Sequence, residues 1–455
     1  MPPETSELRA GVLAWREQAK AWFAQDGRGV VIVIPSYRDS HLLEALFAGL
    51  TATTPSGKYR VIVTDDASND PVHAAYLDRI ERELAFVQVL RNATNGGFAQ
   101  NVNRALRLVP ADADLVLMNS DVVPLDGWLE ALQYSLHLEP ADLIGPKMLF
   151  ADGTIQYCGG TTSIPGSRSF AHRYREKPEF FPAAIVRVPA LYATGAVLYI
   201  PAGTRTWLGN LDERFTWGHD DVDYAIRCWT AGGRVAVEPR SVVVHHESAT
   251  IRLQPGDPRI AASAERFWEK HAAFFERRVR GETGRVRLIF VAGAFTTQVP
   301  YGPLGDRIEF LADNGFDCEL WSLGGAVHFI DRDIRSRGFP DRESLRLALG
   351  GEDAIKICLD WTVAPIVWLG SVLTGLPVFW ARSAPRGPTA IEDAQIRASY
   401  LSEFTIITDE LPVAQTIFGA GFEWPVVGPD DDSFAHILQR LAERPVYGDG
   451  RVIKV

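Results

Sequence analysis

Three aspartates fall within four positions of "WGHDDVDYAIR" (217–227): Asp220, Asp221 and Asp223. Carboxylates in the first turn of a helix complement the positive end of its dipole; a carboxylate can also take a proton from a hydroxyl. Spacing sorts them in part, because Asp223 stands four residues before Arg227, which suits an ion pair on one helix face. A second stretch, "LVLMNSDVVP" (115–124), is an apolar run closed by Asn119, Ser120 and Asp121. An amide oxygen and a carboxylate at the end of a buried strand suit a hard divalent cation bridging a diphosphate, although Asp also ends strands as a turn former. "VTDDASND" (63–70) is another strand closed by paired acids, Asp65 and Asp66, and "VVVHHES" (242–248) offers His245 and His246. Since strand residues alternate faces, one histidine of that pair is expected to share a crevice with the acids.

The elements that must carry these groups form an α/β pattern. "GVVIVIP" (29–35), "YRVIVTDD" (59–66), "FVQVLRN" (86–92) and "ADLVLMNSD" (113–121) read as strands. "HLLEALFAGL" (41–50) and "FAQNVNRALRLV" (98–109) read as helices between them, the signature of a largely parallel sheet. In open α/β sheets ligands bind outside the carboxyl ends of the strands, so Asp65, Asp66, Asn119 and Asp121 are expected to converge. "RNATNGGFAQNVNRAL" (91–106) is an Asn/Gly-rich loop that opens a helix, whose free NH groups can hold phosphate or ribose oxygens. It lacks the GxGxxG spacing and the acid about 20 residues on that a dinucleotide site requires. "GRVAVEPRSVVVHHES" (233–248) reads as two short strands broken at Pro239.

With 455 residues the chain is expected to form more than one domain. A net charge of -11 argues against nucleic acid, and four dispersed cysteines read as reduced core residues, not a disulfide framework or zinc site. Residues 1–28 carry apolar positions at helical spacing, without the basic start and apolar stretch of a signal peptide, and no run approaches a membrane span. A cytoplasmic location is expected, with peripheral contact at the inner face of the membrane left open.

Seven of these stretches, in order, resemble the inverting family 2 glycosyltransferases of the GT-A fold: "IPSYRD", "TDDASND", "RNATNGGFAQNVNRAL", "MNSDVVP", "TGAVLYIP", "LDERFTWGHDDVDYAIR" and "VVVHHES". The resemblance spans residues 30 to about 250. It implies a nucleotide-sugar donor held by Asp65 or Asp66 with Pro35 and Tyr37, and by Asn95, Asn119 and Ser120. It implies Mg or Mn on Asp121, the last residue of the DxD-type motif, completed by a histidine, with His245 preferred over His246. Asn119 stands where the first Asp is usual, which lowers the charge at the metal. Within the acidic pair the resemblance makes Asp221 the base, with Asp220, where Glu is more common, supporting the helix or contacting the acceptor. Trp217 and His219 are the expected acceptor contacts, on a glycan or lipid-linked glycan in cell-surface polysaccharide synthesis.

The expected organisation is an N-terminal helix (1–28), a GT-A domain (29–284) and a smaller Rossmann-like α/β domain (285–455). The last resembles the acceptor-side half of a GT-B glycosyltransferase through "LIFVAGAF", "GDRIEFLADNGF", "DWTVAPIVWLGSVLTGLPVFWA" and "FTIITDELPVAQTIFGAGFEWPVVGPDDDSF". About twenty residues follow where a GT-B enzyme would carry its nucleotide-binding half. A binding and packing module, a fragment of a two-enzyme protein and an unrelated Rossmann-like domain all fit that length. The contrasting reading of the whole is a catalytically inactive GT-A sugar-binding or scaffold protein, motivated by Asn119. A nucleotidyltransferase would instead need a basic Gly-rich loop where the chain has "PSYRDS".

Overall fold

The computed structural model describes residues 3–162, 170–216, 218–246, 258–275, 279–293, 303–325, 334–381, 394–396, 404–408, 426–427 and 430–443. The chain divides into two compact units, residues 1–160 with 172–271, and residues 161–171 with 272–455.

In the first unit, helix α1 (Pro3–Asp26) precedes β1 (Val30–Ser36), α2 (Ser40–Thr53), β2 (Tyr59–Asp65), α3 (Pro71–Glu83), β3 (Val87–Arg91), α4 (Phe98–Leu106), β4 (Asp114–Met118) and β5 (Val122–Pro124). There follow α5 (Trp128–Leu138), β6 (Leu143–Leu149), β7 (Ile155–Tyr157) and β10 (Val188–Pro189), while β8 (Gly160–Thr162) and β9 (Phe170–His172), which pair with each other, belong to the second unit except for Gly160 and His172. The unit closes with β11 (Val197–Ile200), α6 (Ala202–Leu208), α7 (Asp220–Thr230), β12 (Val235–His245) and α8 (Pro258–Lys270).

The main sheet runs β10-β12-β6-β11-β4-β1-β2-β3, with β5 on β12 and β7 on β6. Its β-branched strands β1, β2 and β4 are parallel neighbours, and β4 is buried along its whole length. In this register Ser36 lies opposite Asp65, so the turns that follow β1 and β2 sit side by side. Strand β11 is antiparallel to β4, which makes the sheet mixed and brings the residues preceding Val197 to the end of β4.

Strand β12 corrects the expectation of two strands: it is one strand of 11 residues. Its pairing with β6 shifts register between Glu238 and Val242. Pro239 has no NH to give the ladder, and it is accommodated at this irregularity instead of ending the strand. Helix α1 packs on α5 through aromatic rings, with Trp22 stacked on His137 at 4.9 Å and Trp15 against Tyr134 at 5.2 Å. Arg240 lies over the Trp15 ring at 3.6 Å.

From residue 272 onward the second unit holds α9 (Ala272–Phe275), β13 (Arg287–Ala292), α10 (Pro303–Asp313), β14 (Asp317–Leu323), β15 (Arg335–Phe339), α11 (Arg342–Gly350), β16 (Ile355–Cys358), α12 (Ala364–Ser371), β17 (Leu376–Trp380), β18 (Thr405–Thr408), β19 (Val426–Val427) and α13 (Asp431–Glu443). Its parallel sheet runs β15-β14-β13-β16-β17-β18-β19, the doubly wound order with the first strand at the centre. The division between units falls at residue 271 and not near 284, because Val279 and Val286 belong to the second core with Leu288 and Phe290. Residues 409–425, within the stretch "FTIITDELPVAQTIFGAGFEWPVVGPDDDSF", lie outside the described residues.

Candidate active site

The carboxyl ends of β1, β2 and β4 open into a cleft of about 750 Å³ in the first unit. Tight turns shape its rim. Among the described residues Arg38, Ala67, Asn69 and His219 take φ of 56°, 56°, 47° and 67° without being glycine, a strain that accumulates where function demands geometry. Asp70 starts α3 by accepting the NH groups of Val72 and His73 at 2.8 and 3.0 Å, with Pro71 in the first turn.

The paired acids after β2 separate by direction. Asp65 turns away from the cleft, accepts from the Ser68 hydroxyl and lies 3.5 Å from Nε2 of the buried His73. Burial pushes the Asp65 pKa up, but the His73 and Ser68 contacts outweigh it and hold the group below its ordinary value. Asp66 lines the cleft, and its carboxylate accepts the NH groups of Gly96 and Gly97 at 2.9 and 2.8 Å, pinning the Asn/Gly-rich loop ahead of α4. Gly97 has φ of 79°, and a Cβ there would lie 3.1 Å from the Thr216 carbonyl oxygen, so this position needs glycine.

Asp121 and His245 meet because β12 pairs antiparallel with β5, placing His245 opposite Val122, while the His246 NH donates to the Asp121 carbonyl at 2.9 Å. His245 Nε2 stands 3.2 Å from Asp121 Oδ1, and that oxygen, though buried, makes no hydrogen bond among the described residues. The buried Asn119 Oδ1 likewise has no hydrogen bond among the described residues. Oxygen and imidazole donors aimed into one space fit a divalent cation. No cluster of three or more His, Cys, Asp or Glu side chains that could hold a metal gathers among the described residues. A two-ligand set of this kind leaves the remaining positions of a Mg or Mn ion to waters and substrate phosphates. His246 is exposed.

Asp220 and Asp221 both line the cleft, at the start of α7. Asp221 Oδ2 accepts the Gly195 NH at 2.9 Å and Oδ1 accepts the Val222 NH at 2.8 Å. The same short segment, Thr194 to Ala196, also holds the Asn119-Ser120-Asp121 loop, since the Asn119 NH donates to the Ala196 carbonyl at 2.9 Å. Asp220 is buried, and burial, with the neighbouring Asp221 charge, pushes its pKa up to about 8. Asp223 does not line the cleft. It is fully buried and binds Arg227 at 3.0 Å, Lys270 at 2.5 Å and His271 at 2.8 Å.

Of the expected donor contacts, Pro35, Tyr37, Asp66, Asn95, Asn119 and Ser120 line the cleft and Asp65 does not. His219, expected at the acceptor, is not among the lining residues; its ring packs on Phe267 at 5.5 Å. Trp217 lies outside the described residues. The cleft also contains Asp39, Phe98, Gln156, Tyr157, His172 and Arg259, to which the sequence motifs assign no role.

An α/β cleft with an acidic loop at the end of β4, closed by an antiparallel strand carrying His245 and by an acid-led helix, defines a GT-A glycosyltransferase fold. Residues 31–186 match the family model of Glycosyl transferase family 2, and the chain thus carries a glycosyltransferase domain of that family. Among curated relatives it is similar to the O-antigen biosynthesis protein RfbC of Myxococcus xanthus, 25% identical over 54% of this chain and 19% of that protein. It is also similar to Polypeptide N-acetylgalactosaminyltransferase 6 of Bos taurus, 25% identical over 48% of this chain and 36% of that one. Among solved structures, GalNAc-T7 with UDP, GalNAc and Mn2+ aligns with a TM-score of 0.43 at 16% identity, covering 55% of this chain and 50% of that one. The matches thus span between 19% and 36% of the length of the first curated relatives.

Proposed function

We propose that the first unit is a metal-dependent, inverting glycosyltransferase that moves a sugar from a nucleotide-diphosphate donor to a hydroxyl of a glycan or lipid-linked glycan, in cell-surface polysaccharide assembly. The observation that carries the reading is the segment Thr194 to Ala196, which ties the Asp221 carboxylate and the Asn119-Ser120-Asp121 loop to one short stretch of backbone. A base and a leaving-group site must be fixed relative to each other for direct displacement at an anomeric carbon, and this stretch does so. Asp221, oriented by two backbone NH groups, takes the acceptor proton. Asp121 and His245 would hold a Mg or Mn ion, which supplies positive charge for the departing diphosphate. Asp66 keeps the Asn95–Gly97 loop in place around the donor. Similarity to an O-antigen biosynthesis protein supports the polysaccharide assignment. Among the described residues no helix is long and apolar enough to cross a membrane.

The test is a panel of UDP-, GDP- and dTDP-sugars with Mn2+, scored by thermal shift and by donor hydrolysis. Mn2+-stimulated hydrolysis that is lost in Asp121→Ala is the expected result. Donor binding with no turnover under any condition would instead establish a catalytically inactive sugar-binding domain.

A further inference from the structure

We infer that Gln156 is the positioning residue that sets the tautomer of His245 and so makes its Nε2 available to a divalent cation. This rests on the metal reading above and deepens it. Gln156 sits on β7, is 2% exposed, and touches His245 at two points: its Nε2 donates to the His245 carbonyl oxygen at 3.1 Å, and its Oε1 lies 2.7 Å from the imidazole Nδ1.

The chemistry of the four atoms leaves one arrangement. A carbonyl oxygen has no hydrogen to give, so the amide atom facing it must be the nitrogen. The amide oxygen is then the atom that faces Nδ1, and since it only accepts, Nδ1 carries the hydrogen. In the neutral ring Nε2 is left with its lone pair, directed at Asp121 Oδ1 3.2 Å away. A cation placed between Nε2 and Asp121 Oδ1 would use the lone pairs of both. The double contact also fixes the ring plane, because one anchor is the backbone of the same histidine. Strands β7 and β12 both pair with β6, which is how a glutamine 89 residues upstream reaches the site. Outer-shell partners of this kind typically contribute about 10–100-fold to metal affinity.

The experiment has two arms on the full chain. In the first, long-range 15N–1H correlation of the metal-free protein reads the His245 tautomer, with His245→Ala assigning the signal. The Nδ1–H form is expected in the wild type and a mixture in Gln156→Met; an Nε2–H wild type overturns the inference. In the second, Mn2+ alone is titrated and followed by the electron paramagnetic resonance of the free ion. Gln156→Met is expected to weaken binding about 10–100-fold while thermal unfolding stays near that of the wild type. Loss of Mn2+ binding in Asp121→Ala and His245→Ala, but not in Gln156→Met, sinks the positioning role and leaves the metal site standing. Unchanged binding in Asp121→Ala and His245→Ala sinks the metal reading, and the tautomer arm then decides the role of Gln156 by itself.

Discussion

Asp39 and Ser120, 81 positions apart, are joined by a hydrogen bond from the serine hydroxyl to the aspartate Oδ2, while Asp39 Oδ1 accepts from Ser36. One buried carboxylate thereby clamps the turn after β1 to the middle residue of the Asn119-Ser120-Asp121 loop. Hydrogen bonds to a charged group are worth about 1.5–3 kcal/mol each, and removing the acceptor strands the Ser120 hydroxyl while Ser36 Oγ keeps His73 Nε2 at 3.1 Å. Asp39→Ala is expected to lower stability by about 2–3 kcal/mol and to raise the donor KM. Asp39→Asn, which keeps an acceptor oxygen, should recover much of both. Urea unfolding and donor titration measure the two effects.

Asp221 is held by the Gly195 and Val222 NH groups, and the close approach of Gly195 needs a glycine, since a Cβ there would lie 3.2 Å from the Asp221 Cβ. Asp221→Asn keeps the shape and loses the basicity. Turnover is expected to fall by about 10²–10⁴-fold, the usual contribution of a general base, with donor-induced thermal stabilisation unchanged. Wild-type turnover in this variant would remove Asp221 from the role of base.

Much of this arrangement is legible in the sequence because the strands that position it are buried on both faces. β1, β2 and β4 are largely apolar runs, and the acids that close β2 and follow β4 announce the cleft. What the runs do not reveal is direction. "DD" at 65–66 contains one residue facing His73 and one facing the cleft, and only the alternation of the strand in three dimensions separates them. Strand β15, "RSRGF", escapes notice because an edge strand of exposed, charged residues carries no apolar pattern. Asp39 and Gln156 act through partners 81 and 89 residues away, a signal that no local window contains. The stretch "IQYCGG" holds only a hint of it: Gln156 is a polar residue inside a fully buried strand, where its side chain must find a hydrogen-bond partner.

Asp220 gives a pH dependence whose sign follows from its burial. Its pKa is pushed up to about 8 in the folded chain, against an ordinary value near 4 in the unfolded one. Between these values the folded chain holds the extra proton, so stability is greatest below about pH 4 on this account and falls as pH rises toward 8. Asp220→Asn cannot ionise and should flatten that slope in urea unfolding between about pH 5 and pH 8. Asp221→Asn should reduce it as well, since the Asp221 charge is the second cause of the shift. A wild-type slope retained in Asp220→Asn would assign it to another group.

Asp223 behaves in the opposite sense. Burial pushes its pKa up, but His271, Lys270 and Arg227 outweigh that and hold it below the ordinary carboxylate value. Its stabilisation is therefore present above the unfolded value of about 4 and is lost as pH falls below it. The carboxylate joins α7 to α8, so the acid that begins beside two cleft-lining aspartates serves the packing of the unit. Removing one partner of a buried ionic cluster costs about 3–5 kcal/mol because the others are left uncompensated. Asp223→Ala is expected to show that loss at about pH 7 and a flatter acid limb. Because Asp223 is absent from the cleft lining, the protein that remains folded should keep its donor KM. A raised KM at full folding would mean that the α7–α8 junction also sets the shape of the cleft.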